Sequence, residues 1–305
     1  MTIPDPPVQP RAARGYRARF DALSPNARAI LLMVAAILCF SLMDATAKAL
    51  TERVGTVHTL WARYAGQTLF VLILVAPRLR TALRTRYPKL QFLRSIYLLC
   101  ATGFFFFGLA HIPLAENAAI MNVNPLLITL GAGLFLGERI GLRRAAGIGV
   151  ALVGALIVIR PGSEVFTPHA LLPLGAAVCY SAYALTTRFV GRDEDRWTSL
   201  VYTGLVGAVL LSLIVPAHWQ PVDARSLGMM LLLAAIGTGG QLLLITALQQ
   251  GEAAMLAPFA YAGLLFSASW GFLFFSEVPD LWTVVGALVI AGAGIYVWHR
   301  ETRRG

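Results

Sequence analysis

The sequence predicts an all-α integral membrane protein of ten transmembrane helices, arranged as two inverted five-helix repeats. Its composition, the length of its apolar blocks and the placement of its charges all point this way. Of 305 residues, 57% are hydrophobic and 13% charged, with a mean hydropathy of +0.69. A soluble domain carries about 25% charged residues, so this chain lacks the polar surface to coat a water-soluble globule. Its apolar residues fall in blocks close to the about 20 needed to cross a hydrocarbon core about 30 Å thick. Ten such blocks use about two thirds of the chain, which leaves short loops and no room for a separate catalytic domain.

Residues 1–28 hold Pro4, Pro6, Pro7, Pro10 and Pro25 among five arginines and read as a flexible basic cytoplasmic tail. The first apolar block, from Ala29 to Leu50, is longer than the core of a signal peptide. The predicted helices, numbered one to ten in order, span 29–50, 56–76, 91–110, 114–136, 142–160, 169–189, 197–216, 227–248, 253–275 and 281–298. Proline or glycine marks many connections, as at Pro77, Pro113, Pro161-Gly162, Pro216 and Pro279.

Cytoplasmic loops of membrane proteins collect Lys and Arg. With the N-terminus inside, 20 of the 25 basic residues lie on the inside or at its edge, and three (Arg53, Arg160, Arg225) lie outside. The remaining two, Lys48 and Arg63, fall within spans. This bias predicts both termini in the cytoplasm. It also explains the net charge of +10 without a nucleic-acid partner. Cys39, Cys100 and Cys179 lie in apolar blocks with no metal or disulfide spacing.

The two halves of the chain resemble each other. Cys39-Phe40-Ser41 of helix one matches Cys179-Tyr180-Ser181 of helix six, and Thr46 and Lys48 match Thr186 and Arg188. Glu116 at the start of helix four matches Glu252 at the start of helix nine, and Gly137-Glu138 matches Ser276-Glu277 at their ends. Gly147 then matches Gly286. Five helices per half is an odd number, so the second half crosses the membrane in the opposite sense. Secondary transporters use this plan and place the solute near the midplane between repeats.

The stretch from Ala115 to Gly154, with Pro125 in mid-helix, Gly137-Glu138 at its end and the glycine-spaced helix five, resembles the EamA-type repeat of the drug/metabolite transporter superfamily. The second copy departs from it: Pro258 lies further from Glu277 than Pro125 does from Glu138, and Ser276 replaces the glycine. Helix nine is therefore expected to bend at a different depth. The resemblance implies repeats at 29–160 and 168–299 and a cavity lined from both. It does not fix the solute.

Charges inside spans are costly, about 3 kcal/mol at mid-membrane, and mark candidate sites. Asp44 and Lys48 are four apart on helix one and share a face. With Arg63 of helix two they form either a network that binds solute or protons, or a structural tie in which Asp44 pairs with Arg63 and Lys48 reaches the interface. Asn122, Asn124 and Pro125 supply amides and a freed carbonyl on helix four. They suit either a polar cavity wall or hydrogen bonding between helices. Tyr180 and Tyr183 on helix six, Gln241 on helix eight, and Pro258 and Tyr261 on helix nine complete the candidate lining. Glu116 and Glu252 suit helix N-termini, and Glu138 an anchor for the turn into helix five. The glycines at 147, 149 and 154 follow no strand and read as close helix packing.

Catalytic motifs, metal-ligand spacings and a phosphate-binding loop are missing from the sequence, so no enzyme activity, cofactor, metal or ATP drive is expected. The expected function is alternating-access secondary transport of an amino-acid-like or heteroaromatic metabolite across a bacterial inner membrane. Uptake of riboflavin or S-adenosylmethionine is the alternative, and a membrane-embedded transferase the alternative of another class. Protons are the candidate coupling ion, and a monomer or homodimer is expected.

Overall fold

The computed structural model describes residues 23–136, 142–162, 167–190, 194–250 and 256–302. Its described residues are mostly helical, with no strand among them. The expectation for residues 1–22 lies outside the described residues, as do those for Glu138 and Glu252.

The helix α1 runs Pro25–Val54 and so takes in the last residues of the expected tail. Ser24 sets this start: its side chain accepts the Ala27 N–H at 3.3 Å, and proline at the first helical position loses no intrahelical bond. Gly55, at φ +82°, ends α1 in a conformation that disfavours residues with a Cβ. The next helices are α2 (Thr56–Val75) and α3 (Pro88–Leu109). Helix four is broken into α4a (Leu114–Met121) and α4b (Asn124–Leu136). There follow α5 (Leu142–Ile159), α6 (Leu172–Val190), α7 (Arg196–Ile214) and α8 (Ala224–Gln250). A 3-10 turn, Ala257–Tyr261, leads into α9 (Ala262–Phe275), and α10 is Leu281–Thr302.

Seven described helical segments are long and apolar enough to cross a membrane, and three shorter apolar ones lie at 145–159, 259–275 and 281–297. Large apolar side chains such as Leu69, Ile73, Phe135, Leu213, Leu265 and Phe272 are exposed. A water-soluble surface would not carry so many, whereas a lipid-facing one does. The Phe104–Phe107 run divides by helical period: Phe106 is fully buried, while Phe104 and Phe107 face out.

The packing is systematic. α1 packs most extensively on α8, and α3 on α6. α1 also meets α9 as α6 meets α4b, and α2 meets α8 as α3 meets α7. α5 packs along α10. There, a Cβ built on Gly286 would lie 2.7 Å from the Gly154 carbonyl oxygen, and one on Gly154 would lie 3.1 Å from that of Gly286. Backbone thus meets backbone, the close approach that small residues permit between membrane helices. Gly286→Ile is expected to force α5 and α10 apart and cost about 3 kcal/mol. Gly292→Ala, on the same helix but with open space around it, should be neutral. Thermal unfolding of the purified variants checks this, and equal melting of both would contradict it.

Candidate functional site

Pro125 organises the centre of the bundle. It lacks an N–H and breaks the helix at Asn122–Val123. Around the break the Asn122 N–H reaches Ala118 O and Ala119 O, and the Val123 N–H reaches Ile120 O at 3.2 Å. The Asn124 carbonyl accepts the Ser181 hydroxyl of α6 at 3.2 Å. Ser41, the residue matching Ser181, accepts the Trp270 indole N–H of α9 at 3.0 Å. Matched serines therefore tie α6 to α4b and α1 to α9.

Beside this break lies a cavity of about 300 Å³. Phe40, Met43 and Asp44 of α1, Arg63 of α2 and Leu98, Ala101, Thr102 and Phe105 of α3 form much of its wall. Met121, Asn122 and Asn124 come from the break, Tyr180 and Tyr183 from α6, and Gln241 and Leu244 from α8. Phe40 and Tyr180, at matching positions of the two halves, both face it. Asp44 makes no hydrogen bond or ion pair with another described residue. The Arg63 guanidinium lies 5.5 Å from the Phe106 ring centre and 5.7 Å from that of Tyr64, with no carboxylate bonded to it among the described residues. The wall thus offers a carboxylate, a guanidinium, three amide side chains and two phenols. One of the two Asn122 amide N–H groups is committed to Ala118 O at 2.7 Å, so the other and the carbonyl are left for further partners.

Seven of the eleven candidates from the sequence line this cavity: Asp44, Arg63, Asn122, Asn124, Tyr180, Tyr183 and Gln241. Pro125 shapes it through the backbone. Tyr261 points elsewhere, packing on Gly294 of α10 beside Val123, Ala155 and Ile290. Pro258 falls in the 3-10 turn, and its side chain lies outside the described residues. That turn leads into the 14-residue α9 much as the Asn122–Val123 break leads into the 13-residue α4b, so the two proline-bearing helices deviate at similar distances from their far ends, and the different depth expected from the sequence is not what the structure shows.

Lys48 corrects the sequence reading. It neither faces the cavity nor reaches the interface; it is 6% exposed. Its Nζ lies 2.5 Å from Glu277 Oε1, donates to Ile112 O at 3.0 Å, and stands 5.4 Å from the Phe275 ring centre. Glu277 Oε2 in turn accepts the Leu114 N–H at 2.9 Å, serving an otherwise unpaired donor at the start of α4a. This knot ties α1, the α3–α4a connection and the segment after α9 together at one end of the bundle, here named the Glu277 end. Nearby, Arg53 bonds Asp223 at 2.7 Å, and Arg160 pairs with Asp280. Burial alone would raise Asp280. The Thr283 amide and hydroxyl and the Arg160 guanidinium outweigh it, holding the carboxyl below its usual range. That contribution is present above the usual carboxylate range and fades on acidification through the lowered value.

Arg94 is the second correction. Counted in the sequence among interfacial charges, it is 3% exposed on α3, one turn from cavity-lining Leu98. It donates to Thr187 Oγ1 at 2.8 Å, Gln91 Oε1 at 2.8 Å and the Tyr183 hydroxyl at 3.2 Å, and its guanidinium lies 5.0 Å from the Tyr183 ring centre. α3 begins at Pro88 and not at 91, which puts Arg94 nearly two turns inside the helix.

The EamA-like transporter family model matches residues 27–160 and again 167–298. The chain belongs to the EamA-like transporter family. It is thereby a multi-pass membrane protein of the drug/metabolite transporter superfamily and a small-molecule transporter. Relatives of this EamA-like chain differ in the solute named. One is the pseudopaline exporter CntI of Pseudomonas aeruginosa (strain PAO1), 30% identical over 274 residues, covering 87% of this chain and 94% of the relative. A riboflavin transporter of Rhizobium johnstonii is 29% identical over 90% of this chain and 92% of its own. An S-adenosylmethionine uptake transporter of Rickettsia felis is 24% identical over 93% and 96%. One solved structure shares the EamA-like fold at TM-score 0.63, with 20% identity over 91% of this chain and 98% of that one.

Proposed function

We propose that the protein is a secondary transporter of a small amino-acid-like or heteroaromatic metabolite in a bacterial inner membrane, working by alternating access between two inverted five-helix repeats. The observation that carries this reading is the cavity beside the Pro125 break, walled from both halves and holding a carboxylate and a guanidinium that bond no opposite charge among the described residues. Charges left without partners inside a membrane are costly unless a solute answers them. The exchange of helix contacts between the halves supports the inverted repeat. The seven long and three shorter apolar helices support ten spans.

The bias of basic residues supports cytoplasmic termini. In that orientation the Glu277 end faces outward and the Arg94 end faces the cytoplasm. Asp44, Arg63, Asn122, Asn124, Tyr180, Tyr183 and Gln241 are the proposed solute contacts, with Asp44 also the candidate proton carrier. The names of two relatives favour riboflavin or S-adenosylmethionine uptake as a second reading.

Purified protein in liposomes, given a metabolite panel that includes riboflavin and S-adenosylmethionine under an imposed proton gradient, tests the function. Saturable flux of at least one solute, abolished without the protein, is expected. No flux for any member would sink the reading.

A further inference from the structure

We infer that the pathway prefers solutes of net negative charge, with Arg63 and Arg94 as two successive stations for the anionic group. This inference rests on the transport reading above and adds a charge class to it.

The observation behind it is an imbalance of partners. Lys48, Arg53 and Arg160 toward the Glu277 end are each paired with a carboxylate. Arg63 and Arg94, at and just beyond the cavity wall, bond no carboxylate among the described residues. Among the described residues three of the five N–H donors of Arg94 find acceptors, all neutral oxygens, which leaves two for a further partner. The carboxylate of Glu194 reaches it only through the Gln91 amide, which donates to Glu194 Oε2 at 3.1 Å. Against these two cations the cavity wall supplies one carboxylate, Asp44. A buried net charge of this kind favours a bound counter-charge.

The geometry makes the two stations continuous. Arg94, Leu98, Ala101, Thr102 and Phe105 follow the i, i+4, i+7, i+8, i+11 pattern of one helix face, and all but Arg94 line the cavity. One helical turn, about 6 Å along α3, separates Arg94 from Leu98. Between the cavity and Arg94 stands Tyr183, which lines the cavity and accepts the Arg94 bond. A carboxylate held by Arg63, with an amine on Asp44, meets the remaining Arg94 donors once Tyr183 turns aside.

The test is flux through liposomes containing the purified full chain, with solutes matched in size and differing in charge: glutamate, glutamine and lysine, and the dipeptides of each with tyrosine. The anionic member of each set is expected to move about tenfold faster than the neutral one, the scale of one charge-assisted hydrogen bond. Arg94→Gln should collapse that ratio toward one, Arg94→Lys should keep most of it, and Arg63→Gln, at a cavity-facing residue, should reduce it independently. Equal or faster movement of the neutral or cationic members, or an unchanged ratio in both glutamine variants, overturns the charge preference and leaves the transport reading standing. No flux of any solute in these sets or in the metabolite panel removes both.

Discussion

Glu277→Met is expected to destabilise the protein by about 3 kcal/mol, because it strands the Lys48 ammonium, with its side chain 8% exposed, without a counter-ion. Lys48 would keep the Ile112 carbonyl, the Phe275 ring and the more distant charge of Glu116. The double variant Lys48→Met/Glu277→Met should recover most of the loss, since no uncompensated charge then remains. It should still fall short of the native protein by about 1 kcal/mol, because the Leu114 N–H loses its acceptor in both variants. Thermal unfolding of the three proteins decides the matter. A double variant as unstable as the single one would show that the ion pair is not what holds this end together. A cysteine placed at Phe40 should also react faster with an outside reagent in Glu277→Met, because the knot joins α1, the α3–α4a connection and α9 above the cavity.

Asp44→Asn should do the opposite: lose flux and keep the fold. Asp44 bonds no described donor, so neutralising it removes a buried charge without breaking a hydrogen bond or ion pair, and forfeits only its longer-range attraction to Arg63. The melting temperature should stay level or rise. Flux of a solute bearing an amine should fall about 10- to 100-fold, the scale of a lost charge-assisted hydrogen bond. Retained flux together with a marked drop in melting temperature would make Asp44 a structural residue and remove it from the solute site.

Much of the site was legible in the sequence because membrane cost is a local property. A charged or amide side chain inside an apolar block is conspicuous wherever the helix later packs, and Asp44, Arg63, Asn122 and Asn124 were found in this way. Pro125 was legible for the same reason, since its missing N–H is a fact about one residue. Lys48 was found but misassigned. Its partner Glu277 is 229 residues away, and nothing in the i, i+4 spacing to Asp44 reveals that α9 packs beside α1. Arg94 was missed because a cation near a span boundary reads as interfacial. Its burial depends on α6 and on Thr187 and Tyr183, which lie across the bundle.

By itself, the sequence determined what the chain must do in its solvent. Its apolar blocks have to be helices, because lipid offers backbone groups no partner. Its basic residues bias the orientation, and its Pro125 has to interrupt helix four. Tertiary structure alone decided which charges are answered. Lys48 is neutralised by Glu277, while Arg63, Arg94 and Asp44 bond no opposite charge among the described residues. Pairing of charges depends on distances across the bundle, set by helix packing such as the backbone approach at Gly154 and Gly286, and those distances are not written in any local stretch of residues.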